Sequence, residues 1–184
     1  MRPLRLLSLS TMAVASVMAT STAAVAAPPA PRHCVAALPA AQATCFDSFR
    51  AAIAYATGGT IIDAPDATVA ATDPAFATRV ETSPAATTAV SVVLGIEYAD
   101  ANYGGATLTL TGLGGCDTSS DVDWQVPTMP PGWNDRISSF RSFNRCEQQL
   151  YRDIYYHGVL TPVLANSSYV GGTANDRASS IRFF

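Results

Sequence analysis

The chain has 184 residues, 48% of them hydrophobic and 14% charged, with a formal net charge of -3. That composition is globular and leaves room for one domain of ordinary size plus a smaller segment. Every basic side chain is an Arg and none forms a run or stripe, so a nucleic-acid partner has no electrostatic footprint to meet.

The first 26 residues read as a secretion signal. Arg2 and Arg5 give a positive start, Leu6 to Ala19 an apolar stretch, and Ala24-Val25-Ala26 a small-x-small cleavage site. The apolar stretch is short and diluted by Ser and Thr, which disfavours a membrane anchor. Removal of this segment leaves nine basic against 14 acidic side chains. A weakly acidic exported protein is repelled by anionic surfaces, so no membrane partner is expected.

A Pro/Ala leader over 28–33 opens a small helical segment assigned to 27–63. Thr44 followed by Asp47 predicts a capping box, and Phe46, Phe49, Ile53 and Ala56 share one helical face. Gly58-Gly59 predicts the stop, because glycine accepts the left-handed turn after a helix. Residues 64–90 are rich in Ala, Thr, Pro and Asp with little periodicity and read as a connector. From residue 91 to 184 the texture changes to short strands separated by Gly, Asn and Asp, around Val92, Val93, Ile96 and Tyr98, then Leu108 and Leu110, then Ile137, Phe140 and Phe143. The fold class expected is mainly β with a short helical N-terminal segment.

Four cysteines, at 34, 45, 116 and 146, suit two disulfides in an exported chain. Three pairings exist; Cys34–Cys45 with Cys116–Cys146 keeps each bond within one segment. Metal binding by these thiols is disfavoured, since no CxxC is present.

An internal repeat carries the functional reading. YADANYGG at 98–105 recurs as YRDIYYHG at 151–158, and NDRISS at 134–139 recurs as NDRASS at 175–180, in the same order. The first string suits a hairpin with two stacked aromatics and a glycine able to take positive φ. In the second string, Asn and Asp side chains bond local backbone and hold a tight arch. The interval from Tyr98 to Asn134 is 36 positions, against 24 from Tyr151 to Asn175. The surplus lies within 112–132, a stretch with Cys116, Trp124, Pro127, Met129, Pro130 and Pro131.

This pattern, aromatic-x4-aromatic-x-Gly followed by (Asn/Asp)-(Asn/Asp)-x-x-(Ser/Thr)-Ser, resembles the βγ-crystallin superfamily over about residues 91–184, and more narrowly its secreted bacterial members. The resemblance implies two Greek-key motifs paired about a pseudo-twofold axis in a β-sandwich. It implies calcium as the bound ion, held in a clamp to which both arches contribute oxygens. It carries over to the side chains of Asp135, Ser138, Asp176 and Ser179 and to the main-chain carbonyls of Arg136 and Arg177. Calcium takes 6–8 oxygen ligands, and one carboxylate per site points to weak binding, ~10⁻⁵–10⁻³ M. Where family members often have an acidic residue after the first aromatic, this chain has Ala99 and Arg152.

Some relatives on this fold are implied to be peptidase inhibitors. A disulfide-tethered, proline-stiffened loop over 112–132 is how an inhibitory surface would be built, since a rigid loop loses little entropy on binding. An extracellular protease is therefore the alternative partner to calcium ions. No enzyme is expected: GxSxG and HExxH are absent, Gly112 to Gly115 is not followed by GK[ST], and His33 and His157 lie far apart in sequence.

Overall fold

The computed structural model describes residues 32–39, 42–83 and 91–184. The signal reading over 1–26 and most of the leader fall outside the described residues, as does the end of the expected connector.

The described chain runs β1 (His33–Ala37), β2 (Thr44–Phe46), α1 (Phe49–Ala56), α2 (Ala67–Thr72), α3 (Pro74–Thr82), β3 (Val92–Asp100), β4 (Gly104–Gly112), β5 (Trp124–Val126), β6 (Ser139–Ser142), β7 (Gln148–Tyr151), β8 (Asn166–Ser167) and β9 (Ser180–Phe183). Six strands form one sheet in the order β2-β1-β4-β3-β6-β8, and three form a second in the order β5-β9-β7.

Alternation along β4 sorts the layers, because successive side chains of a strand point to opposite faces. Ala106, Leu108 and Leu110 join Leu94, Phe140, Leu150, Ile181 and Phe183 in the core that includes both sheets. On the other face of the large sheet, Val35, Val93, Ile96, Tyr98 and Phe143 pack with Phe49, Ile53, Phe76 and Val80 of the helices. Burying this second apolar face is the physical reason the helical layer exists.

The N-terminal residues are woven into the sheet. β1 pairs parallel with β4, His33 opposite Thr107 through Ala37 opposite Thr111. It covers an edge that would otherwise present unpaired backbone groups. Cys34 lies opposite Cys45 across β1 and β2, and the two are disulfide-bonded. The second disulfide is Cys116–Cys146.

Helix α1 is capped by Ser48, whose Oγ accepts from the Ala51 amide at 3.2 Å. Thr44, expected as the cap, is instead in β2; the chain stays extended there because Cys45 is held opposite β1. The helix ends as Gly58 and Gly59 take φ of 59° and 84°. Their amides bond back to Tyr55 O at 3.2 Å and Ala54 O at 2.7 Å, satisfying carbonyls the helix leaves free.

The stretch expected as a connector holds α2 and α3. Pro74 sits in the first turn of α3 and Asp73 caps it, accepting from the Ala75 amide at 2.9 Å. The helical spacing is carried by alanines, with Ala67, Ala70 and Ala71 buried, so it leaves little trace in a reading of large apolar residues. Phe76 is the bulky anchor, 6.2 Å from Phe49 and 6.4 Å from Phe143 between ring centroids.

The surplus residues 112–132 contribute β5, which pairs with β9 and extends the second sheet. Val126 and Met129 are buried in the core between the sheets, as is Trp133 just beyond.

Candidate functional site

The two NDRxSS strings fold into facing arches. Asp135 and Asp176 sit in the left-handed region, at φ of 53° and 54°. Asp and Asn tolerate that region better than other non-glycine residues. Each arch is bonded to the other: the Asp135 amide donates to Ala178 O at 3.0 Å, and the Asp176 amide donates to Ile137 O at 3.1 Å. Asn134 Nδ2 donates to Asp135 Oδ2 and Asn175 Nδ2 to Asp176 Oδ2, both at 2.7 Å. Each asparagine thus holds the carboxylate beside it in place.

The hairpins are fastened to the arches by the serine pairs. The Ser138 and Ser179 amides donate to Tyr98 O and Tyr151 O, each at 2.9 Å. Ser139 Oγ donates to Asp100 O at 2.6 Å and accepts from the Tyr103 amide at 3.0 Å. Ser180 repeats this with Asp153 O and the Tyr156 amide at the same distances. The second serine of each pair is therefore consumed by backbone. Tyr98 and Tyr103 stack edge-on at 5.4 Å, as do Tyr151 and Tyr156 at 5.8 Å.

The first serine is different. Ser138 Oγ lies 2.8 Å from Ala99 O and 3.2 Å from Asp176 Oδ1. A hydroxyl has one hydrogen and two lone pairs. When that hydrogen goes to Ala99 O, the lone pairs of Ser138 stand beside the Asp176 carboxylate with no proton between them. Two oxygens from opposite arches so placed suit a hard cation.

Asp135, Asp176 and Ser179 line one surface depression of about 560 Å³ together with Arg152, Asp153 and Arg177. Arg152 donates to Asp153 Oδ1 and Oδ2 at 3.3 and 3.1 Å. This guanidinium holds the Asp153 carboxyl below its ordinary range. Its charge is spent on a neighbouring carboxylate within the depression. The Arg136 guanidinium lies over the Trp133 ring, 5.1 Å from its centroid, and donates to Gly132 O at 3.2 Å.

The structure therefore brings Ser138 and Asp176 together, and gathers Asp135, Asp176, Arg177 and Ser179 at one depression. Sequence reasoning did not assign the Ala99 carbonyl that orients Ser138, nor the part played by Asp153, whose local ion pair with Arg152 leaves no motif. Among the described residues, no group of three or more His, Cys, Asp and Glu side chains could hold a metal ion. The arches offer hydroxyl, carbonyl and single carboxylate oxygens instead. His157 is exposed on its hairpin.

No protein-family model matches the chain, and no curated relative does. Among solved structures, it is similar to a βγ-crystallin domain from Flavobacterium johnsoniae at 26% identity, covering 50% of this chain and 93% of that one with a TM-score of 0.36. It is also similar to one from Clostridium beijerinckii, at 20% identity over 50% of this chain and 97% of that one, TM-score 0.34. A third is a βγ-crystallin from an archaeon, at 22% identity over 50% and 98%, TM-score 0.36. Half of this chain thus aligns with nearly the whole of each of these βγ-crystallin proteins.

Proposed function

We propose that this is an exported, βγ-crystallin-like calcium-binding protein in which the ion stabilises the fold. The observation that carries the reading is Ser138 Oγ standing 3.2 Å from Asp176 Oδ1 across two arches. In one site Ser138 and Asp176 supply side-chain oxygens; in the other Ser179 and Asp135 do. The carbonyls of Arg136 and Arg177 complete the protein's share, and water fills the remaining positions of a 6–8-coordinate ion.

The chain's own residues explain why the ion would stabilise rather than catalyse. Each site joins an oxygen of one arch to a carboxylate of the other, so binding ties the two halves of the repeat. An ion that binds only the native state adds RT ln(1 + [Ca]/Kd), about 2.7 kcal/mol at a hundredfold excess over Kd. With one carboxylate per site, that excess is reached only where calcium is abundant, as outside a cell. The two disulfides suit the same oxidising surroundings.

The test is calorimetric titration of the chelator-stripped protein, with a thermal melt on the same sample. Two binding events and a raised melting temperature are expected. Asp135→Ala with Asp176→Ala is expected to abolish binding, and Ser138→Ala to weaken one site. Unchanged affinity in the double variant would falsify the clamp.

A further inference from the structure

Glu97 is a carboxyl group that the arches do not use. It lies on β3 with its side chain wholly buried, as is Gln148 on β7 of the other sheet. Gln148 Nε2 donates to Glu97 Oε2 at 3.1 Å, so this one polar contact spans the sandwich. Among the described residues, Glu97 Oε1 and Gln148 Oε1 have no hydrogen-bond partner. Two acceptor oxygens are left over on one bonded pair, and what is missing is one hydrogen.

Among the described residues, no cation supplies it. The chain has no Lys. Of the strands packed around Glu97, β6 carries Arg141, which is bonded to Ala71 O in the helical layer and lies over Phe143. On β9, Arg182 sits over the Tyr156 ring at 4.2 Å. On β3 itself the Tyr98 ring belongs to the helix-facing cluster. The residues opposite Glu97 on β4 and β6 are Leu108 and Phe140. A side chain at Gly95 would meet Phe183 Cε1 at 3.0 Å and Glu97 Oε1 at 3.2 Å, so the glycine makes room for the carboxyl beside an aromatic ring. An ionised carboxylate there would be neither solvated nor paired, which is the costliest state for a buried group.

We infer that Glu97 is held as a neutral carboxylic acid whose O–H donates to the Gln148 carbonyl while its other oxygen accepts from the Gln148 amide, a proton-dependent lock between the two sheets. Burial pushes the Glu97 carboxyl up to about 8 from an ordinary value of 4.5, opposed only by the Gln148 hydrogen bond. Between those values the folded chain keeps a proton that the unfolded chain has lost. Stability from this group is therefore complete below pH 4.5 and falls as pH rises toward 8.

The experiment compares wild type with Glu97→Gln, in chelator so that calcium plays no part, by denaturant unfolding from pH 5 to pH 8. Glutamine has the shape of the protonated acid and keeps both hydrogen bonds without needing a proton. From this group alone, the wild-type folding constant is expected to fall by roughly 400-fold across that range. E97Q is expected to be flatter by that factor and more stable than wild type at pH 8. Other groups that titrate in this range, His33 among them, cancel in the comparison. Infrared spectra of the wild type should show a protonated carboxylic acid band at pH 7, whatever the fate of the variant. An ionised Glu97 in that spectrum, or the same pH slope in E97Q, overturns the inference.

Discussion

Phe76→Ala tests whether the helical layer and the sandwich unfold as one body. Phe76 is 1% exposed and lies between Phe49 of α1 and Phe143 beyond β6, so it is the ring that joins α3 to both neighbours. Removing a buried Phe side chain costs about 3–5 kcal/mol, the lost transfer energy plus the cavity left behind. For a cooperative unit of about 150 residues, each kcal/mol lowers the melting temperature by about 2–4 °C, so a fall of roughly 6–20 °C is expected. The assay is a thermal melt followed at two signals. Near-ultraviolet dichroism reads Trp124 and Trp133, both in or against the core between the sheets. Far-ultraviolet dichroism reads helix and strand together. If β1 and the helices are integral, both signals move down in a single transition. The control is Val69→Ala, where the side chain is 53% exposed and little should change. A tryptophan transition left in place while the helical signal melts early would show that the layer is an independent appendage, and the reasoning from Phe76 would be wrong.

Two further outcomes follow from local geometry. Tyr155 takes φ of 55° on the second hairpin with its side chain 61% exposed, while Asn102 holds the matching place on the first at 57°. Tyr155→Asn should relieve about 1 kcal/mol of backbone strain and raise the melting temperature by about 2–4 °C; a lower value would mean the exposed ring makes contacts that matter. His33 is buried, with Nδ1 3.0 Å from Thr107 Oγ1 and its ring edge-on to Phe49 at 5.8 Å. Burial lowers its imidazole from the ordinary 6.5. The folded chain then binds fewer protons than the unfolded one, so this contribution is present above pH 6.5 and is lost as pH falls through the folded value. A proton NMR titration of the His33 ring should show a midpoint below that of the unfolded chain, and a midpoint at or above it would contradict the burial argument.

Much of this molecule is local chemistry, and local chemistry is legible in a sequence. Asn134-Asp135 and Asn175-Asp176 make their arches from side chains bonding to atoms one or a few residues away. The aromatic and glycine spacing of each hairpin is fixed by the turn itself, while Ser139 and Ser180 fasten the hairpins from well along the chain. The mainly β character and the two short-range cysteine pairs follow from the same kind of reading. The helices α2 and α3 were not legible, because alanine carries helical spacing without the large apolar signal that marks it. Nor was β1, whose partner β4 lies some 70 residues on, since five mixed residues cannot announce a parallel pairing that only a finished sheet provides. Within 112–132, Trp124–Val126 completes a sheet and Met129 lies in the core, which a reading of the stretch as a loop does not supply.

The arch and hairpin strings are readable along the chain, because their residue types and spacings recur in the same order, although each hairpin is fastened by a serine 24 to 39 residues away. A clamp drawing on both arches was an expectation of the resemblance; the packed fold shows which serine stands against which aspartate, Ser138 against Asp176, and that Glu97 is sealed against Gln148 between two sheets. Both pairings join residues 38 and 51 positions apart. Their chemistry depends on which water is excluded and which face of a strand turns inward, and those are properties of the packed whole.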